Sequence, residues 1–340
     1  MSLTAALALS GCQMPLLNGG EATLQASPDF ATESHHGSFS ICSSGTYGIR
    51  LSDHDGVILG PHFALKVECL ASMEEFDTSF RMDELLGLNE KLLQPATGYE
   101  YTLVQFAPHH TLQPSHPDES AFELSATLTI GEQVWEFEDG VPADGSSYLA
   151  SAKPNAPVIL EVTDSGRTQS IDLRSNNMED AVDAYYQNWG WEGQTDWLEA
   201  TAAAQASNGA TIDNWNWKTR LEFSRGVYGE GRGWLVDDND RQLLTIEFEW
   251  PRENQGAVWN LDPADAVSLG SNRIVDSGIV GNRDSGNWSY RTYFVTFDVA
   301  ASERTFQYRF EPKGPITWAA EGVTLTVTEN RHYSGGMVFQ

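Results

Sequence analysis

The sequence predicts a mainly β protein: two antiparallel β-sandwich domains joined by a short helical connector. Three observations carry that reading. Short runs of alternating, β-branched or aromatic residues recur from Phe39 onward, compact turn signals separate them, and the pattern breaks near Asn176, where helical spacing takes over. At 340 residues the chain is long enough for more than one domain with its own core, since a domain takes roughly 100 to 200 residues.

In chain order, the first element is Leu9-Ser10-Gly11-Cys12, preceded by the short apolar stretch Thr4 to Ser10. These residues resemble the lipobox of bacterial prolipoproteins, in which small residues precede a cysteine that is acylated on sulfur and becomes the mature N-terminus. The resemblance covers Leu9 to Cys12 alone. It implies a lipid on Cys12, attachment to a membrane through that lipid, and residence on the extracellular face of a bacterial membrane. No Lys or Arg precedes Cys12 and the apolar stretch is short, so a true start upstream is expected where the resemblance holds. A cysteine in a frayed terminus is the alternative.

Residues 13–38 are polar and rich in small residues without a sustained period, which predicts a flexible tether; His35 and His36 fall in it. Residues 39–175 read as a β-rich domain with one helix. FSICSSGTYGIRL and GVILGPHFALKVECL flank a turn ending in Asp55-Gly56, and Phe80, Leu85, Leu86, Leu88 and Leu92 have roughly helical spacing within Asp77 to Gln94. YEYTLVQF, AFELSATLTI, QVWEF, SYLASA, VILEVT and TQSIDL then follow as strands, with hairpin turns at Gly131-Glu132 and Asp164-Ser165-Gly166.

Residues 176–216 are expected to form the helical connector. Met178, Val182, Tyr185 and Trp189 share a helical face, and Thr195 can cap a second helix, DWLEATAAAQAS, stopped by Asn208-Gly209. Strands resume over 217–340 in TRLEFS, GWLVDD, QLLTIEFEW, WSYRTYFVTFDV, RTFQYRFE and GVTLTVTE. Both halves resemble immunoglobulin-like sandwiches in a general sense, though neither has the Cys, Trp, Cys spacing of antibody domains.

Charge excludes one class of partner. With 48 acidic against 20 basic side chains the net charge is -28, a field that repels polyanions, so nucleic acid is not an expected partner. No run reaches the roughly 18 to 20 apolar residues needed to span a bilayer.

Cys42 and Cys69 remain once Cys12 is assigned to the lipid, an even pair that suits an oxidising compartment and predicts a disulfide. Reduction and burial is the alternative. Five tryptophans, Trp189, Trp191, Trp197, Trp215 and Trp217, bracket the connector beside Asp, Asn and Gln. They are the candidate ligand-binding residues, because sugar rings stack on aromatic faces while amides and carboxylates take the hydroxyls. The competing reading makes them packing residues.

Asp237-Asp238-Asn239-Asp240 crowds oxygen ligands but lacks the glycine and distant glutamate of an EF-hand, so a solvated hairpin tip is expected. Gly229-Glu230-Gly231-Arg232-Gly233 leads into a strand and lacks a P-loop lysine, so it reads as a flexible loop. His109, His110 and His116 lie in a proline-rich segment that does not promise metal geometry. There is neither a Gly-x-Ser-x-Gly elbow nor a His-Glu-x-x-His pair, and no catalytic residue, metal or cofactor is expected. The expected function is non-catalytic surface binding or scaffolding, with envelope protein or glycan as partner. A carbohydrate-binding protein using the tryptophans, or an extracellular hydrolase with a hidden carboxylate pair, are the alternatives.

Overall fold

Alternation with a period of two shapes the N-terminal half. In Val158–Asp164 every second residue is buried, and the neighbouring segments repeat that pattern, so each strand turns one row of side chains to the interior. The computed structural model describes residues 24–34, 48–52, 55–74, 93–107, 114–117, 122–138, 140–187, 190–254, 256–286, 288–319, 322–330 and 332–339. The protein is mainly β with antiparallel sheets, apart from one short parallel pair.

Thirteen strands precede residue 180: β1 (Leu24–Gln25), β2 (Ala31–Ser34), β3 (Gly48–Arg50), β4 (Val57–Leu59), β5 (Ala64–Met73), β6 (Leu93–Gln94), β7 (Glu100–Phe106), β8 (Leu124–Ile130), β9 (Gln133–Phe137), β10 (Ser147–Ala152), β11 (Val158–Asp164), β12 (Arg167–Asp172) and β13 (Asn177–Glu179). One sheet runs β2-β10-β7-β5-β3 with β4 also on β5, and a second runs β13-β12-β11-β8-β9. They share one core, in which Val67, Val104 and Tyr148 of the first sheet meet Leu128, Leu160 and Val162 of the second. The β11–β12 hairpin closes through Ser165 (φ 51) and Gly166 (φ 81), both in the left-handed region that a two-residue type I′ turn requires.

The C-terminal half contains β14 (Glu192–Gln194), β15 (Leu198–Gln205), β16 (Thr211–Thr219), β17 (Glu222–Gly226), β18 (Tyr228–Gly229), β19 (Gly233–Trp234), β20 (Arg241–Asn254), β21 (Ala257–Trp259), one short helix α1 (Pro263–Ala266), β22 (Val267–Leu269), β23 (Arg273–Ser285), β24 (Trp288–Ala300), β25 (Thr305–Phe310), β26 (Ile316–Trp318), β27 (Val323–Asn330) and β28 (Tyr333–Val338). The long strand β20 organises it. β24 pairs along one edge of β20, while β17 and then β21 share the other, and the sheet continues through β26, β27 and β15 to β16. A second sheet, β22-β25-β28, contributes Leu269, Phe306, Phe310 and Met337 to a core that also takes Phe248, Trp250, Trp259, Tyr293 and Phe297.

Three expectations are corrected. DWLEATAAAQAS is not a helix: residues 198–205 form β15, paired with β16 and β27. Alanine favours helix, but Ala202, Ala204 and Ala206 are buried at every second position, small enough for close packing, and tertiary pairing overrides propensity. Nor do residues 176–187 form a helix; Trp189, the last residue of the expected face, lies outside the described residues. Asn176 (φ 57) and Asp180 (φ 55) adopt left-handed conformations no helix admits, and only a 3-10 turn forms, over Asp183–Tyr186. Residues 24–34, expected in a tether, carry β1 and β2, and β2 pairs with β10. Most of the helix expected in the N-terminal half lies outside the described residues, and its last two residues, Leu93 and Gln94, are strand. No helix among the described residues is long and apolar enough to cross a membrane, which says nothing of crossing by strands.

Candidate functional site

The outward face of β14, β17, β20, β24 and β23 carries the candidate site. On β17, Phe223 and Arg225 turn inward while Glu222 and Ser224 face out, and on β20 Leu244, Ile246 and Phe248 are buried while Thr245 and Glu247 are not. Register then assembles residues far apart in sequence. One row across the sheet reads Gln194, Glu222, Glu247, Phe294 and Gly278; the next reads Glu192, Ser224, Thr245, Thr296 and Asp276. Four strand spacings of about 4.8 Å make each row roughly 19 Å long.

Two adjoining clefts, of about 520 Å³ and 410 Å³, share Ser224 and Glu247 and so form one groove over these rows. Tyr228, Arg232 and Leu235 from the segment after β17, with Asp276 and Val280 of β23, also line it. β23 bends there: its register against β24 shifts between Ile274 and Asp276 and again between Ile279 and Gly281, as bulges do. A Cβ at Gly278 would lie 2.9 Å from Cε1 of Phe294, whose half-buried ring covers the glycine, so a larger residue there would push the ring aside.

The polar content of the groove is specific. Oγ1 of Thr245 and Oγ1 of Thr296 are 2.9 Å apart. Glu222 and Glu247 are opposite each other across β17 and β20, a pairing of like charges that is destabilising in itself. Arg220 offsets it, donating from Nε to Oε1 of Glu222 at 2.7 Å, and its guanidinium also lies 5.3 Å from the centre of the Trp197 ring. That indole is 61% exposed. Such a surface offers carboxylate acceptors, hydroxyls of both senses and an aromatic face, and can hold a solute bearing several hydroxyl groups.

The groove is held to the N-terminal half by an aromatic junction at the tip of the β11–β12 hairpin. Asp164 is buried there and accepts from Nδ1 of His62 at 2.7 Å, from the His62 backbone at 3.0 Å and from Ser165 Oγ at 2.9 Å. The His62 ring stacks on Phe122 at 4.0 Å and meets the edge of Tyr228, a groove residue, at 5.0 Å. Trp234 Nε1 donates to the Asp164 carbonyl at 3.1 Å, and Arg167 lies 4.3 Å over the Trp234 ring while donating to the carbonyl of Val236 at 2.6 Å. Burial pushes the hydroxyls of Tyr185 and Tyr186 well above the usual phenol range.

The predicted residues scatter. Trp191 is half-buried in this junction, 5.6 Å from Tyr185 and 5.7 Å from the Arg225 guanidinium; Trp197 stands beside the groove; Trp215 and Trp217 lie on β16, in register with Ala202 and Ala200. Trp189, Cys12 and Cys42 lie outside the described residues, as do His109 and His110, while Cys69 is buried on β5. His116 joins the junction, 5.1 Å from Tyr228, with Nδ1 2.9 Å from Ser115 Oγ.

Two loops differ from expectation. Residues 237–240 do not form a free hairpin tip: the Asn239 side chain donates to the carbonyl of Asp180 and its carbonyl accepts from Asp183, docking the loop on the 3-10 turn. Residues 229–233 form a tight turn between β18 and β19, closed by Arg232 N donating to Gly229 O at 2.9 Å. Among the described residues no three His, Cys, Asp or Glu converge as a metal would need.

Sequence reasoning did not find the groove. Its signal was present in the outward positions of TRLEFS and QLLTIEFEW, where acids and hydroxyls alternate with core residues, but only register shows that they meet. Comparison with protein-family models, curated proteins and solved structures finds no match to this chain.

Proposed function

We propose that the protein is a bacterial cell-envelope lipoprotein, anchored by a lipid on Cys12 at the extracellular face of the membrane. Two immunoglobulin-like sandwich domains then serve as a non-catalytic surface binding or scaffolding unit for envelope protein or glycan. The observation that carries the binding role is the groove: an outward sheet face that sets carboxylates, hydroxyls and the Phe294 ring side by side. The net charge of -28 supports the absence of nucleic acid among its partners. A Cys42 to Cys69 bridge belongs to the same reading, supported by the burial of Cys69 on β5.

Expression of the natural gene in a bacterium tests the address. The wild type should enter the detergent phase and be accessible to surface proteolysis, and Cys12→Ala should release it. A wild type that stays in the aqueous cytoplasmic fraction overturns the proposal.

One observation favours a second reading, an extracellular glycoside hydrolase. Residues directly opposite on antiparallel strands have Cβ atoms about 4.5 to 5.5 Å apart, and a retaining glycosidase holds its two carboxyls at a comparable separation of about 5 to 5.5 Å. Glu222 and Glu247 are register partners, so their Cβ atoms stand at the strand-pair distance, from which the two side chains can reach a common ligand. Release of reducing ends from a polysaccharide, lost in both Glu222→Gln and Glu247→Gln, decides for this reading.

A further inference from the structure

We infer that the groove over β14, β17, β20 and β24 binds an uncharged oligosaccharide chain, with one sugar ring against Phe294 and its hydroxyls shared among Glu247, Ser224, Thr245 and Thr296. The inference rests on the groove being a binding surface and names its ligand class.

Charge narrows the choice first. Glu192, Glu247 and Asp276 stand along the groove in a chain of net charge -28, which disfavours an anionic ligand. Arg220, whose charge Glu222 takes up, and Arg232 line the same groove, so a basic ligand is kept as an arm of the test. The hydroxyls and the aromatic ring of the groove point to a neutral, polar solute.

Hydrogen-bonding capacity narrows it further. An ionised carboxylate only accepts, so Glu247 calls for ligand donors, whereas the hydroxyls of Ser224, Thr245 and Thr296 donate and accept. Neighbouring ligand O–H groups satisfy both. The Phe294 ring, laid over Gly278 at the end of the same row as Glu247, supplies the flat apolar surface that a pyranose C–H face covers. The rows are several strands wide, and the exposed Trp197 indole beside Arg220 prolongs the surface past β17, so the shape suits a chain of rings over a single one.

The test uses the full chain in isothermal titration against cellohexaose, xylohexaose, mannohexaose and maltohexaose, with polygalacturonate, heparin and oligolysine as charged probes. At least one neutral hexasaccharide should bind, and Phe294→Ala and Glu247→Gln should each weaken it about tenfold or more. Ser224→Trp, which fills the floor from an exposed position, should abolish binding with the circular dichroism spectrum kept, and Val134→Ser on β9 should leave binding unchanged. Binding by none of the neutral sugars, binding by charged probes only, or neutral binding that survives all three groove variants overturns the inference. Release of shorter sugars during titration supports it and moves the function to the hydrolase reading. Failure of membrane anchoring leaves it standing, since the titration needs no membrane.

Discussion

Nδ1 of His62 lies 2.7 Å from Oδ1 of Asp164, and the second oxygen of that carboxylate accepts the His62 backbone N–H at 3.0 Å, with both residues buried. One carboxylate at a hairpin tip thereby fixes a loop from the other sheet of the N-terminal half and the imidazole that faces Tyr228. Asp164→Ala strips the acceptor from both groups inside a closed site. We expect it to destabilise the protein by on the order of 3 kcal/mol, and Asp164→Asn by less, because an amide oxygen can still accept one bond. Equilibrium urea unfolding measures both, and an Ala variant within about 0.5 kcal/mol of wild type would refute the role given to the pair.

Arg167 crosses from the N-terminal hairpin to the C-terminal half, over Trp234 and onto the carbonyls of Val236 and Asp237. Each contact lies between the halves, so removing the guanidinium should loosen their coupling more than either core. Arg167→Ala is expected to cost about 1 to 3 kcal/mol and to split a single calorimetric transition into two. One unbroken transition at the wild-type temperature would contradict the coupling.

The strands that were legible in sequence are those with one wet and one dry face. β8, β11, β20 and β25 alternate so strictly that period alone identifies them. β23 was not legible, because RIVDSGIVGNRDS is exposed along most of its length, with Val275, Ile279 and Val280 open to solvent, and is held by its pairing with β24. β15 was misread because alanine's helix propensity outweighs, in a single sequence, a tertiary pairing the sequence does not display. The groove depends on pairings between residues 192 and 296, and such register information is absent from any local window.

The β15 correction can be tested by volume. Ala202 and Ala204 are each 1% exposed, while Gln205 points to solvent. Ala202→Leu and Ala204→Leu should each cost about 1 to 3 kcal/mol through overpacking, and Gln205→Leu should change stability by less than about 0.5 kcal/mol. A helical segment would gain from added leucines at solvent-facing positions. Stabilisation by either alanine replacement, read from denaturant midpoints, would restore the helix.

Alkaline pH should unfold the protein through its tyrosines. Burial raises the hydroxyls of Tyr101, Tyr185 and Tyr186 above their ordinary value of 10, and those of Tyr148, Tyr293 and Tyr308 are raised for the same first reason. The folded state therefore keeps protons that the unfolded chain sheds above pH 10, so stability present below that value falls as pH rises further. Absorbance of tyrosinate should show part of the 11 tyrosines ionising near the ordinary value and the rest in one step with loss of near-UV dichroism. Tyr186→Phe, which removes the acceptor of the Leu59 N–H at 3.0 Å, should lower stability at neutral pH by about 1 to 3 kcal/mol.

Cys69 stands on β5 opposite Gln105, in the strand that lies between β3 and β7 and beside the core they share with the second sheet. The proposed bridge from there to Cys42, 27 positions earlier, would close a loop whose lost freedom in the unfolded chain is worth about 3 to 4 kcal/mol. If the proposal holds, protein recovered from the bacterial envelope should show no free thiol after denaturation, with Cys12 acylated and the other two joined, and peptide mapping without reductant should return one linked pair. Cys42→Ser and Cys69→Ser should each lower stability, Cys69→Ser more, because its hydroxyl would also sit unsatisfied in a fully buried site. A reductant should bring wild type down towards Cys42→Ser and leave that variant unchanged. Wild type insensitive to reductant, with two reactive thiols after export, would detach the oxidised compartment from the lipid anchor and leave Cys69 a packing residue.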